Sequence, residues 1–155
     1  AYFYLWLAAA EIGLMEKLRE EYRTDDDWMR FLCANRRKQI YRLAQSRKKT
    51  LGFTTWECVY LLDLLTIVKC DKQKHTWDQL GFDEAGWKTF SKDVNVLRRA
   101  IMHPVNKLWP KGTEIENLIR YNNNLDTLVK ALHCKQNEHG ATLLQRGFGY
   151  GQQST

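Results

Sequence analysis

Arg98, Arg99 and His103 are the residues of this chain best suited to chemistry on a phosphate. They stand in the string Leu97-Arg-Arg-Ala-Ile-Met-His-Pro104. A guanidinium offers a planar fork of N–H donors that matches two phosphate oxygens. An imidazole exchanges a proton near neutral pH and can serve as general acid or base. Together they could grip a phosphodiester and move protons around it. A plainer role competes with this one. Cations near a helix C-terminus stabilise the negative end of its dipole, which needs only one basic residue.

The segment that must position these groups is predicted to be a helix, capped by Asp83, starting at Glu84 and ending at His103. With about 100° per residue, Phe90, Val94, Leu97 and Ile101 form an apolar stripe. Asn95, Arg99 and His103 fall at four-residue spacing on another face, and Arg98 sits at the border of the stripe. Pro104 disfavours helical geometry at His103, so the helix should stop or kink there. On a straight helix Arg98 and His103 are about 140° apart, too far round to converge on one phosphate.

Around this segment the apolar pattern predicts further helices. Residues Tyr2 to Tyr22 read as one helix with two stripes, Leu5, Ile12 and Met15 beside Ala8 and Ala9, and Leu7, Leu14 and Leu18. A helix apolar on so many sides is expected to be well buried. Asp25, Asp26 and Asp27 favour the positive end of the next helix, predicted from Trp28 to about Arg47. Trp28, Leu32, Ile40 and Leu43 should face inward. The remainder is basic, with Arg30, Arg36, Arg37, Lys38, Arg42, Arg47, Lys48 and Lys49, and no acid stands between Trp28 and Lys49. Such a run repels itself, and an anionic ligand would relieve it; a solvated face is the alternative.

Thr54 and Glu57 form a capping-box pattern expected to open a core helix from Thr55 to Val68. Thr113 and Glu116 form a second, before a long helix carrying Ile115, Leu118, Ile119, Leu125, Leu128, Val129 and Leu132. Asn122, Asn123 and Asn124 should weaken its middle. These elements predict an all-α bundle of four to five helices over residues 1–136, with a flexible tail over 137–155.

The net charge of +6 suits an anionic partner such as RNA, DNA or a membrane surface, or simply serves solubility. The apolar opening AYFYLWLAAA is shorter than the roughly 20 residues a spanning helix needs, and no basic stretch precedes it as in a signal peptide. No membrane partner is expected. The four cysteines show no CxxC spacing, which fits reduced thiols and a cytoplasmic location. His133, Cys134 and His139 lack a fourth zinc ligand, so no metal or cofactor is expected. The chain opens without an initiator methionine, which fits processing or a piece of a longer protein.

Arg98 through Met102-His103-Pro104 resembles the RxxxxH signature of HEPN domains. Asp93, Asn95 and Leu97 resemble the family's approach to it. Glu11 to Leu18 is similar to the family's N-terminal helix, LGFTTWECVYLLDLL to its second core helix, and TWDQLGFDEAGW to the Trp-containing stretch before the signature. The likeness covers roughly Leu5 to Leu108. It implies a compact helical bundle, usually a homodimer whose two signatures line one cleft. A kink at Pro104 or a second copy would then bring arginine and histidine together.

Many HEPN proteins are metal-independent endoribonucleases of toxin–antitoxin, phage-defence and RNA-processing systems, while others bind nucleotides or act as scaffolds. By resemblance His103 would be the general acid or base, and Arg98 would stabilise charge on the phosphate. Arg99, Asn95, Arg36, Arg37, Lys38, Arg42 and Arg47 would hold RNA. Implied partners are RNA, a second copy, and an antitoxin or fused regulatory domain. Two positions depart from the family pattern. Arg99 stands where Asn, Asp or His is usual, and Met15 where an arginine is usual. Those departures leave open a non-catalytic dimerising or sensory module.

Overall fold

The computed structural model describes the backbone of residues 2–23, 26–102 and 114–148, and side chains over 3–23, 26–99 and 116–133. Among the described residues six α-helices follow one another: α1 (Tyr2–Tyr22), α2 (Ala34–Leu51), α3 (Leu61–Cys70), the single turn α4 (Thr76–Gln79), α5 (Glu84–Met102) and α6 (Glu114–Phe148). Two short 3-10 turns, Asp26–Phe31 and Trp56–Cys58, flank α2. Among the described residues there is no β-strand, so the chain is all-α.

Four helices close a ring. α1 packs on α6 and on α3, α3 packs on α5, and α5 returns to α6. Each supplies an apolar stripe to the common core: Leu7, Ala10, Leu14 and Leu18 from α1; Leu61, Leu64, Leu65, Ile67 and Val68 from α3; Trp87, Phe90, Val94 and Leu97 from α5; Leu125, Leu128 and Leu132 from α6. The spacing of three and four residues within each set is that of one helix face. Gly13 lets α6 come close, since a Cβ there would lie 2.9 Å from Leu132 Cδ1. The predicted weakness at Asn122–Asn124 does not interrupt α6. Tyr121 and Leu125 meet Phe90, Val94 and Leu97 across the α5–α6 seam, and packing outweighs local preference there.

Several expectations need correction. α1 is not buried all round: Tyr4, Leu5 and Ile12 are 61%, 67% and 56% exposed, because the ring covers only the sides facing α3 and α6. The helix expected from Trp28 to Arg47 is two elements. Its first part is the 3-10 turn, in which Trp28 stacks on Trp56 at 4.3 Å between ring centres. The chain then extends at Cys33 before α2 begins. The helix expected from Thr55 to Val68 is also divided. Glu57 does reach back, accepting the Thr54 N–H at 2.7 Å and the Thr54 hydroxyl. It closes only the 3-10 turn, and Val59 and Tyr60 are extended before α3. Asp63 caps that second start by accepting the Tyr60 N–H at 2.8 Å. α6 itself runs from Glu114 to Phe148.

α2 stands outside the ring. It contacts the Trp56–Cys58 turn most and buries only Ile40 and Ala44. Gly52 ends it in the left-handed conformation at φ 65°, its N–H bonding to the Lys48 carbonyl. No atom crowds that glycine, so its backbone freedom alone explains its place.

Candidate nucleic-acid interface

α5 carries Arg98 and Arg99, two of the residues from which the sequence suggested phosphate chemistry. Its N-terminus is capped by Asp83, whose carboxylate accepts the Gly86 N–H. Trp87 locks the helix to α3 by donating its ring N–H to the Leu65 carbonyl at 3.1 Å. On the opposite side Asp93 takes two hydrogen bonds from Arg120 of α6, at 2.9 and 3.0 Å. These ties fix the rotation of α5. Arg98 is then half-buried at the border of the core stripe, Asn95 is half-buried, and Arg99 is exposed. His103 and Pro104 lie outside the described residues, as does Thr113 of the second capping box.

The arginines fall into two chemical groups. Arg36 is bound by Asp63: its Nε lies 3.0 Å from both carboxylate oxygens and its Nη2 2.8 Å from one. It also donates to the Cys58 carbonyl at 3.2 Å and lies 4.5 Å from the Tyr60 ring centre. The hydrogen bonds to Asp63 hold the guanidinium firmly protonated, its pKa raised against the opposing effect of burial. Arg120 is gripped by Asp93 in the same bidentate way. By contrast Arg98, Arg99, Arg37 and Arg42 have no carboxylate partner among the described residues.

The basic run of α2 is therefore divided by its own helix. Arg36 turns inward and ties α2 to α3. Lys38, Arg42 and Lys49 fall within about 40° of one another on the solvent side, and all three are exposed. Tyr41 is exposed among them and Arg37 is half-buried. Arg47 is exposed near the helix end, 5.8 Å from the Phe53 ring centre.

A second cationic surface escaped the sequence reading. A groove of about 720 Å³ runs between α3 and α5. Half-buried Leu62, with buried Leu65 beneath it, lines its apolar side, and Lys69, Lys72, Lys88 and Lys92 supply its charge. The signal was available in the α5 pattern. Lys88, Lys92, Asn95 and Arg99 recur at four, three and four residues, within about 60° of one another on a helix. Lys72 and Lys88 share the Glu84 carboxylate at 3.2 and 2.9 Å. Both lysines stabilise its ionised form and lower its pKa, chiefly through hydrogen bonds. Lys69 and Lys92 have no carboxylate partner among the described residues.

Among the described residues no three His, Cys, Asp or Glu side chains gather as a metal site, and no helix is long and apolar enough to cross a membrane. What the arrangement can do is hold an anion: two cationic surfaces include Arg37, Lys38, Arg42, Lys69 and Lys92, which have no carboxylate partner among the described residues, while Arg36 and Arg120 are neutralised by aspartates. The chain matches no family model, no curated protein and no solved structure.

Proposed function

We propose that this chain is a HEPN-type helical module that binds RNA and cleaves it without a metal. One observation carries the RNA part. The arginine of the RxxxxH string, Arg98, sits half-exposed with no carboxylate partner among the described residues, whereas the fold assigns an aspartate to each of Arg36 and Arg120. A guanidinium that ties two helices together has such a partner, as Arg36 and Arg120 do, and Arg98 keeps its fork of donors open. The unpaired cations of α2 supply a sequence-independent hold on the backbone.

Chemistry at the phosphate follows from the residue types. A base removes the 2′-OH proton as that oxygen attacks the adjacent phosphorus. The bond to the 5′-oxygen breaks, an acid protonates the leaving oxygen, and a 2′,3′-cyclic phosphate remains. His103 takes one of these proton-transfer roles and Arg98 stabilises the charge on the non-bridging oxygens. The test is RNA cleavage in EDTA. Wild type should cut, and His103→Ala and Arg98→Ala should be slower by roughly 10²-fold or more. Equal cleavage by wild type and His103→Ala rules out the catalytic assignment.

Met15 supports a second reading. It packs against the core where the HEPN pattern has an arginine, so that polar contribution to a site is missing. The chain would then be a non-catalytic RNA-binding or dimerising module of a larger system. It would bind RNA with steep salt dependence and yield no cyclic phosphate, and Arg99→Asn would weaken the binding.

A further inference from the structure

We propose that the groove between α3 and α5 is the channel along which a single RNA strand reaches Arg98. The inference rests on the RNA-binding reading above and adds the path and the form of the substrate. The two helices run antiparallel, since Lys72 meets the Glu84 carboxylate while Leu65 bonds to Trp87. The groove therefore begins at the end of α3 beside the start of α5 and advances along α5 through Lys88, Ser91, Lys92 and Asn95. Arg98 lies seven residues beyond Ser91, two helical turns along almost the same edge, about 10 Å further. Arg99 continues the line of Lys88 and Lys92.

Charge and spacing select the occupant. Four lysines line the rims and no acid lines the groove itself. From Lys88 to Arg99 the cation line extends about 16 Å at 1.5 Å per residue, which is several phosphates of an extended strand rather than one nucleotide. Half-buried Leu62 gives an unstacked base an apolar contact, which a duplex with its bases paired inside cannot use. Glu84 neutralises part of the rim at the end away from Arg98. Lys69 and Lys92 are free of it, so they are the informative residues.

The experiment measures binding of a labelled single-stranded RNA of about 12 nucleotides over a range of salt. Wild-type affinity should fall steeply with salt. Lys69→Ala with Lys92→Ala should reduce the slope by roughly 1.4, about 0.7 for each lost phosphate contact. Lys130→Ala, a paired and exposed lysine on α6, should leave the slope unchanged. Glu84→Gln should raise affinity by releasing Lys72 and Lys88, a gain that damage to the fold would not produce. If wild type binds steeply but the lysine pair leaves its slope intact, the groove assignment is overturned and the RNA reading stands. If wild type does not bind RNA at all, both fall. Duplex RNA bound equally well and with the same lysine dependence, or a nucleoside triphosphate matching the strand's affinity, overturns the single-strand assignment.

Discussion

Arg36 tests the division between structural and ligand-facing arginines most sharply. Replacing it by Met keeps much of the aliphatic stem and removes the charge. Asp63, whose side chain is 10% exposed, then loses three hydrogen bonds of 2.8–3.0 Å and retains the Tyr60 N–H. Removing one partner of a buried pair costs about 3–5 kcal/mol because the other charge is left uncompensated. Arg36 itself is 17% exposed and the cap bond survives, so the lower end applies, about 3 kcal/mol. For a chain of this size that lowers Tm by roughly 6–12 °C. Arg36→Met with Asp63→Leu should recover most of the loss, since an apolar pair no longer buries an unpaired carboxylate. Urea unfolding followed by circular dichroism gives the stabilities, and RNA affinity against salt is measured in parallel. Lys38→Met should do the reverse of Arg36→Met, leaving stability within about 0.5 kcal/mol while lowering the salt slope. An Arg36→Met chain of wild-type stability with a reduced slope would refute the division and return Arg36 to the RNA-binding set.

Two further outcomes follow from the packing. Burial pushes the Glu57 carboxyl upward, but the Thr54 hydroxyl and N–H, its own N–H and Arg19 at 3.5 Å together bring it below its usual value. A depressed folded-state pKa stabilises above the ordinary carboxylate value of about 4.3 and loses that contribution as pH falls through the folded value. The urea midpoint should therefore drop more between about pH 6 and about pH 3 in wild type than in Glu57→Gln, and equal drops would dismiss the cap. Trp87 donates its ring N–H to Leu65, whereas the Trp28 ring N–H is buried without a partner among the described residues. Trp87→Phe should thus cost about 1–3 kcal/mol more than Trp28→Phe, measured by the same unfolding assay.

Much of the fold was legible because it rests on local periodicity. The stripe Phe90-Val94-Leu97 and the Asp83 cap appear in the structure as the sequence predicts. Where the reading went astray, the cause lay at long range. No proline or glycine marks the break at Cys33; Trp28 and Trp56, far apart in sequence, stack beside it. The Thr54–Glu57 capping contact forms as its residues predict, but the extended backbone at Val59 and Tyr60 limits it to one turn. α1 carries more apolar residues than the ring has neighbours to cover, and counting stripes could not say which would remain outside.

The candidate site shows the same limit in a more consequential form. A basic run in sequence has no sign of which members are already neutralised. Arg36 and Arg37 are adjacent, yet the turn of the helix aims one at Asp63 and leaves the other without a carboxylate among the described residues. The partners that decide this, Asp63 for Arg36 and Asp93 for Arg120, each lie 27 residues away along the chain. Charge also hides in dispersal. Lys69 belongs to α3, Lys72 to the turn after it, and Lys88 and Lys92 to α5, and neither pair is conspicuous by itself. Antiparallel packing makes them one groove whose line points toward Arg98. The unpaired cations, not the basic total, are therefore the quantity that bears on an anionic ligand, because a cation already bound by a buried aspartate must break that bond before it can hold a phosphate.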